Sequence, residues 1–450
     1  MQIEGVDYFE TYAPVVQWST VRALLIMSLV LGLETVQIDF SNAFCQADIE
    51  EEIYVEMPKD FGDSKGRDMV LKLKKSLYGT KQAPRTWFLK LKQCLEMQGF
   101  HQSELDPCLF IHPDMVYIVY VDDSILIGCD RSKIEAMIAD LSTELDLTRE
   151  GDLAAFLGIQ ISKSPLNGSM TLTQEGLITG VLNTTGLLHS HSATTPANKE
   201  ALGSDSNGPP AQEHWDYRSV VGMLMYLASN SRPDIAFAVH QCAHFSHCPK
   251  ASHEVAVKKI CWYLKGTLKR GIIYTPTSSF SVDCYCDSDF VGLFGRELSN
   301  DPICAKSRTG YVITLSGCPL LWVSKLQTTI ALSTMEAEYT ALSSSCRDLI
   351  PLRQIIEEAS KALHVSQDFS VTSYSTIYED NSACLSQATL PKMTPHTKHI
   401  AVVYHWFREY VVSGILRILK VDTSQNLADI FTKGFVTEKF TAIRKLLCGW

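Results

Sequence analysis

Long hydrophobic runs are missing from this 450-residue chain: the longest, Ala23 to Leu33 (ALLIMSLVLGL), lies between Arg22 and Glu34. A bilayer span takes about 20 apolar residues, so this stretch predicts a buried helix and no membrane association. No charged segment followed by an apolar one stands after Met1, which excludes a secretory signal there. The 14 cysteines include no paired CxxC knuckles, and Cys284 with Cys286 alone is too few for a zinc site. Together these absences predict reduced thiols and a cytoplasmic or nuclear location. Positive charge is not in excess either: 40 Lys and Arg stand against 50 Asp and Glu, a net charge of −10. That balance excludes a protein whose whole surface grips nucleic acid, but leaves room for local basic tracks. Internal repeats and low-complexity tracts are absent as well, and 46% hydrophobic with 20% charged residues is the composition of a folded protein. Length alone suggests two to three domains.

What the sequence does contain is most informative between Met115 and Gly128, MVYIVYVDDSILIG, where Asp122 and Asp123 interrupt an apolar run. Val116, Ile118, Tyr120, Ile125 and Ile127 suit strands, so the segment predicts a hairpin with the acids at or near its turn. Two carboxylates so close raise one another's pKa unless a cation neutralises them, and oxygen ligands suit Mg²⁺ or Mn²⁺. Asp-Asp also suits a turn with no metal at all.

Residues 194 to 213, rich in Pro, Gly, Ser and Asn, predict a linker. Before it, Val36 to Phe40, Tyr117 to Val121 and Phe156 to Ile161 alternate like strands, and Arg85 to Gln98 has helical spacing. After it, Tyr217 to Leu227 and Ala251 to Leu264 predict a mainly helical section, with breaks at Pro233 and Pro249. From Ser279 onward strands (Ser281 to Cys286, Gly310 to Leu315, Thr372 to Glu379, Ile415 to Val421) alternate with helices (Ser333 to Ser345, Asn381 to Ala388), a second α/β unit. The lysines and arginines from Lys72 to Lys92 and from Lys258 to Arg270 suit either phosphate contacts or solvated helix faces.

Asp39 ends the first of these strands, from where it could join Asp122 and Asp123. Three such acids would hold two metal ions about 3.5 to 4 Å apart, one at an attacking 3′-hydroxyl and one at a triphosphate. A polymerase follows from that geometry.

The chain resembles the reverse transcriptase and RNase H segment of Ty1/copia-type retrotransposon polyproteins over nearly its whole length. The resemblance rests on GVDYFETYAPVV from Gly5, QIDFSNAF from Gln37, EEIYVEMP from Glu51, SLYGTKQAPRTW from Ser76, YVDD from Tyr120 and FLGIQI from Phe156. It continues through SRPDIAFAV from Ser231, YLKGT from Tyr263, LSTMEAEYTAL from Leu332, EDNSA from Glu379, KHI from Lys398 and NLADIFTKG from Asn426. The family order of these motifs, more than any one of them, carries the likeness.

The resemblance implies an α+β chain: a reverse transcriptase palm with partial fingers in residues 1–193, a linker in 194–213 and a helical thumb or connection-like region in 214–278. An α/β RNase H-like domain would occupy 279–440, and a C-terminal tail 441–450. It further implies that Asp39, Asp122 and Asp123 form the polymerase metal triad and that Phe44 crowds a ribose 2′-hydroxyl. Gln82 and Arg85 would contact the incoming nucleotide and template. In the second half, Asp287, Glu338, Asp380 and Asp429 match four metal-binding carboxylates, with Asp289, Glu336 and Glu379 beside them. On a helix Glu336 points well away from Glu338, so one of the two faces the metals. Implied with them are two Mg²⁺ or Mn²⁺ ions per site, an RNA template, a DNA primer, dNTPs and an RNA/DNA hybrid as substrates.

His396, His399 and His405 lack a partnering cysteine set, and His399 matches the family's KHI motif while Ala401 stands where the family commonly has Asp. Gln46 and Ala47 replace the family's usual Asn-Gly or His-Gly pair, which would add strain if position 47 needs positive φ. The family's basic finger motif belongs ahead of GVDY, and protease and integrase segments are not present. The expectation is therefore a polyprotein fragment, either carrying both activities or a truncated remnant keeping only hybrid cleavage or nucleic-acid binding.

Overall fold

Runs of β-branched and aromatic residues separated by amphipathic stretches build the first half. The computed structural model describes residues 2–57, 69–165, 168–277, 279–293, 302–365, 372–389 and 404–450. The apolar run after Gln17 forms α1 (Trp18–Leu31), buried from Ser19 to Ser28 and ended by Gly32 in the left-handed conformation. There follow β1 (Glu34–Phe40), the short α2 (Ala43–Gln46) and a two-stranded ribbon of β2 (Tyr54–Glu56) and β3 (Val70–Lys72). Helix α3 (Ala83–Met97) starts with Pro84 in its first turn and turns Trp87, Leu91, Cys94 and Leu95 inward. Strands β4 (His101–Gln102), β5 (Leu109–His112), β6 (Met115–Tyr120) and β7 (Asp123–Gly128), helix α4 (Arg131–Leu141) and β8 (Leu147–Asp152) complete this part.

Six of these strands form one antiparallel sheet in the order β4-β5-β6-β7-β1-β8. Strand β1 lies inside it, with Val36, Ile38 and Phe40 in the core. The compact unit around this sheet comprises residues Met1–Leu153 and Ile355–Gln367.

A second compact unit, Ala154–Gln354 with Asp368–Trp450, contains two sheets. The first joins β9 (Ala155–Phe156), β10 (Ile159–Lys163) and β11 (Met170–Thr173) to β12 (Ile272–Tyr274), all antiparallel. Between β11 and β12 the chain forms α5 (Glu175–Thr184), α6 (Tyr217–Asn230), α7 (Ala236–Ala243) and α8 (Ala251–Gly266), each packed on the next and α8 back on α5. The second sheet takes β13 (Val282–Asp289), β14 (Arg308–Leu315) and β15 (Cys318–Leu326) as an antiparallel meander. After α9 (Thr334–Ala362), β16 (Ser375–Glu379) lies parallel to β13; α10 (Ser382–Thr389), α11 (Arg408–Val412), the parallel β17 (Leu416–Lys420) and α12 (Thr437–Cys448) follow. The strand order is β15-β14-β13-β16-β17, and the parallel pairing of β13 with β16 demands the long crossover that α9 supplies.

Three features depart from the sequence-based outline. The division between units falls after Leu153, ahead of the 194–213 segment. The mainly helical section lends β12 to a sheet, because Tyr274 pairs with Met170 across about a hundred residues of chain that no local pattern can reveal. Residues 441–448, expected as a C-terminal tail, belong to α12, and Trp450 is held in place: its indole donates to the Gly271 carbonyl at 2.6 Å, and the Arg444 guanidinium stacks on it at 4.1 Å.

Among the described residues, no helix is long and apolar enough to cross a membrane. All fourteen cysteines are free thiols.

Candidate active sites

The first carboxylate group hangs on the β6–β7 hairpin. Tyr120 pairs with Asp123, leaving Val121 and Asp122 as the turn, and Val121 takes φ +58°. A β-branched residue rarely tolerates that conformation, so something must hold it. The Trp87 indole does: its Nε1 donates to the Val121 carbonyl at 2.6 Å, and its ring meets Phe40 edge-on at 5.0 Å. Across the sheet Asp39 is the register partner of Asp123, and the Phe40 amide donates to the Asp122 carbonyl at 3.3 Å.

Burial, and then the charge of Asp122, raises the pKa of both Asp39 and Asp123. Tyr78 is also pushed up, by burial first and then by Asp122, which places its ring beside the same acids. Phe44, carried on α2, packs its ring 4.5 Å from that of Tyr78. Ala47 has φ −88°, so the position needs no positive φ and alanine brings no strain. Gln46 is fully used: its amide donates to the Ser41 and Asp146 carbonyls and accepts from the Asp146 amide.

Gln82 and Arg85 are engaged elsewhere. Gln82 is buried, accepts from Gln2 at 3.0 Å and donates to the Asp7 carbonyl at 3.1 Å. Arg85 pairs with Glu10 and donates to the Tyr12 carbonyl. Both tie the first dozen residues to α3.

The second group is more tightly drawn. Asp287 near the end of β13, Glu338 on α9 and Asp380 after β16 each place an oxygen within 4.8 Å of the other two. Among the described residues this is the one such trio; Asp39, Asp122 and Asp123 are not gathered to that distance. Burial lifts Asp287 to about 6 and Glu338 well above the usual glutamate value, with neighbouring carboxylates adding to both. Glu338 Oε2 is buried and has no hydrogen-bond partner. An orphaned carboxylate oxygen in an all-oxygen trio fits a hard divalent cation, and Asp287, Glu338 and Asp380 are the residues that would hold Mg²⁺ or Mn²⁺.

The acids beside the trio have other work. Glu336 caps its own helix: its carboxylate accepts from the Leu332 amide at 2.8 Å while Ser333 Oγ accepts from the Glu336 amide. Glu379 is fully buried, accepts from the Asn381 amide at 3.0 Å and from the Cys286 thiol at 3.2 Å, and burial pushes it up to about 8. Burial raises Asp289 too, against the pull of Lys433 and Arg308.

Asp429 sits in the short 3-10 turn Leu427–Phe431, docked on β13 by Asn426, whose amide donates to the Cys286 carbonyl at 2.8 Å. Gly310 on β14 permits the close approach, since a Cβ there would lie 2.6 Å from Thr432 Cγ2 and 2.9 Å from Phe431 Cβ. Asp429 is not part of the trio. It is buried between two ammonium groups, Lys433 Nζ at 2.8 Å and Lys439 Nζ at 3.0 Å. Sequence reasoning passed over Lys433, although it lies in NLADIFTKG one helical turn beyond Asp429.

His405 is buried against Tyr339, whose hydroxyl lies 2.8 Å from its Nδ1. His396, His399 and Ala401 lie outside the described residues.

Residues 1–199 match the family described as reverse transcriptase (RNA-dependent DNA polymerase). The chain is 33% identical, over 99% of its length, to the retrovirus-related Pol polyprotein from transposon TNT 1-94 of Nicotiana tabacum, of which it covers 33%. It is also 33% identical, over 96% of its length, to the corresponding polyprotein from transposon RE1 of Arabidopsis thaliana, covering 28% of it. The chain belongs to the copia-type retrotransposon Pol family. This Pol chain thus spans about a third of the length of these curated relatives. A solved RNase H1 isolated from compost is similar over 34% of this Pol chain and 93% of its own, at 17% identity and a TM-score of 0.24.

Proposed function

We propose that this copia-type Pol chain is an RNA-directed DNA polymerase with a fused ribonuclease H. It would extend a DNA primer with dNTPs along an RNA template and cleave the RNA of the resulting RNA/DNA hybrid. The observation that carries the reading is the trio of Asp287, Glu338 and Asp380 with its orphaned, buried Glu338 oxygen. Residues 1–193 would form the polymerase part and 279–440 the nuclease, acting in the cytoplasm, the nucleus or both.

Mg²⁺ or Mn²⁺, two ions per centre, would supply activation of the attacking oxygen and neutralisation of charge at the phosphate. The protein's part is positioning. Asp39 and Asp123 are fixed by strand register and Asp122 by the pinned turn, so the polymerase acids stand on rigid elements. Phe44, backed by Tyr78, is the aromatic wall that would crowd a ribose 2′-hydroxyl. Gln82 and Arg85, by holding residues 2 to 12 against α3, would order the surface that meets the incoming nucleotide and template. In the nuclease, three acids from a strand, a helix and a strand end would converge, and among the described residues their one ion pair joins Asp287 to Lys433.

A second reading, hybrid cleavage alone, is favoured by one observation: the nuclease acids are drawn together and the polymerase acids are not. The nuclease is tested by incubating a labelled RNA/DNA hybrid with the chain and Mg²⁺. RNA-strand cleavage that disappears in Asp380→Asn, with duplex DNA untouched, is the expected outcome. Cleavage that persists in the variant removes the nuclease assignment.

A further inference from the structure

Lys433 stands between two of the nuclease acids. Its Nζ is 2.8 Å from Asp429 Oδ1 and 3.6 Å from Asp287 Oδ2. Thr432, its neighbour, donates from Oγ1 to Asp287 Oδ2. Lys439 holds the other Asp429 oxygen. Asp287 is therefore shared: it belongs to the open trio with Glu338 and Asp380, and it also faces a lysine already built into the fold. The lysine is no surface accident. Its own turn is anchored to β13 and β14 through Asn426 and Gly310, and Asp429 beneath it is fully buried.

Charge counting shows what this means for cation binding. With Asp287, Glu338, Asp380 and Asp429 ionised, the four negative charges meet two ammonium groups. One divalent ion on the trio then brings the set to neutrality, and a second would meet Lys433 on the Asp287–Asp429 side. Resting on the nuclease reading above, we infer that Lys433 is a resident counter-cation, a positioning residue that a second divalent ion must displace. The two ions therefore bind in order, the first to the trio and the second, more weakly, to the place Lys433 leaves. Asp289 offers the displaced ammonium a berth: it lies two residues beyond Asp287 on the same face of β13 and interacts with Lys433.

The test is a Mn²⁺ titration of the full chain, followed by calorimetry and by electron paramagnetic resonance of free Mn²⁺. An Asp122→Asn, Asp123→Asn background removes ligands of the polymerase centre. In that background two binding events are expected, and Lys433→Met should tighten the weaker one by about tenfold while shifting the tighter one less than twofold. Lys433→Arg keeps the charge and should keep the weaker event weak. A Lys433→Met isotherm identical to the background, or a loss of both events in a protein with unchanged melting temperature, overturns the inference. Should Lys433→Met not fold, Asp429→Asn decides: loss of the weaker event alone is expected, and retention of both overturns the inference. Failure of the underlying reading looks different: Glu338→Gln in the same background would leave the tighter event unchanged.

Discussion

The Trp87 indole holds the carbonyl of Val121, at 2.6 Å, at the point where the chain takes φ +58° to place Asp122 and Asp123. A residue of α3 thus fixes the hairpin that carries two of the three acids proposed for polymerisation. The conformation is costly for a β-branched residue, about 1 to 3 kcal/mol, and persists because its surroundings determine it.

Trp87→Phe keeps the ring against Phe40 and removes the donor. We expect a loss of about 1 to 2 kcal/mol in urea unfolding of the first unit. Primer extension should fall at least tenfold while RNA/DNA hybrid cleavage stays within twofold.

Glu336 and Glu338 sit two residues apart with opposite duties. Glu336→Ala should lower stability by about 1 kcal/mol through the lost cap, with hybrid cleavage intact. Glu338→Gln should abolish cleavage, at least a hundredfold, without lowering the metal-free melting temperature, because it removes a buried acid crowded by Asp287, Asp380 and Glu379.

Glu379 makes stability depend on pH. Burial raises it from an ordinary value of 4.5 to about 8, so the folded chain holds a proton that the unfolded chain releases. Its contribution is full below pH 4.5 and is lost as pH rises through 8, by up to about 1.4 kcal/mol per pH unit in between. Melting in EDTA should show Glu379→Gln gaining on the wild type from pH 5 to pH 8, and a constant difference would contradict the assignment.

Arg232 and Asp234 form a pair with no exposed side-chain surface, joined by two hydrogen bonds at 2.9 and 2.8 Å and by the Tyr263 hydroxyl on Asp234 at 2.6 Å. Asp234→Ala leaves a buried guanidinium without its anion and should destabilise the second unit by about 3 to 5 kcal/mol. Thermal unfolding followed by tryptophan fluorescence measures it.

Local pattern made part of this legible. The hairpin acids, the strand under Asp39 and the helix carrying Trp87 follow from alternation and amphipathic spacing, whereas Asp287, Glu338 and Asp380 were singled out only by the family resemblance, because no local pattern brings a strand, a helix and a later strand end together. The place of Asp429 outside the trio was not legible, since it depends on a turn docking onto β13 and β14 from more than a hundred residues away, although its partners Lys433 and Lys439 are near in sequence. Gln82 and Arg85 show the same limit: a motif gives their identity, but their engagement with Asp7, Glu10 and Tyr12 arises from the path of the N-terminal segment. Strand β12 was hidden in a helical section because its partner β11 is distant in sequence.

Primer extension on an RNA template, with dNTPs and Mg²⁺ or Mn²⁺, tests the central claim most directly when run beside Asp122→Asn and Asp380→Asn. The account expects extension by the wild type and by Asp380→Asn, and none by Asp122→Asn, which should still cleave the hybrid. Extension that survives in Asp122→Asn, or a folded wild type that cleaves hybrids and never extends a primer, would contradict it.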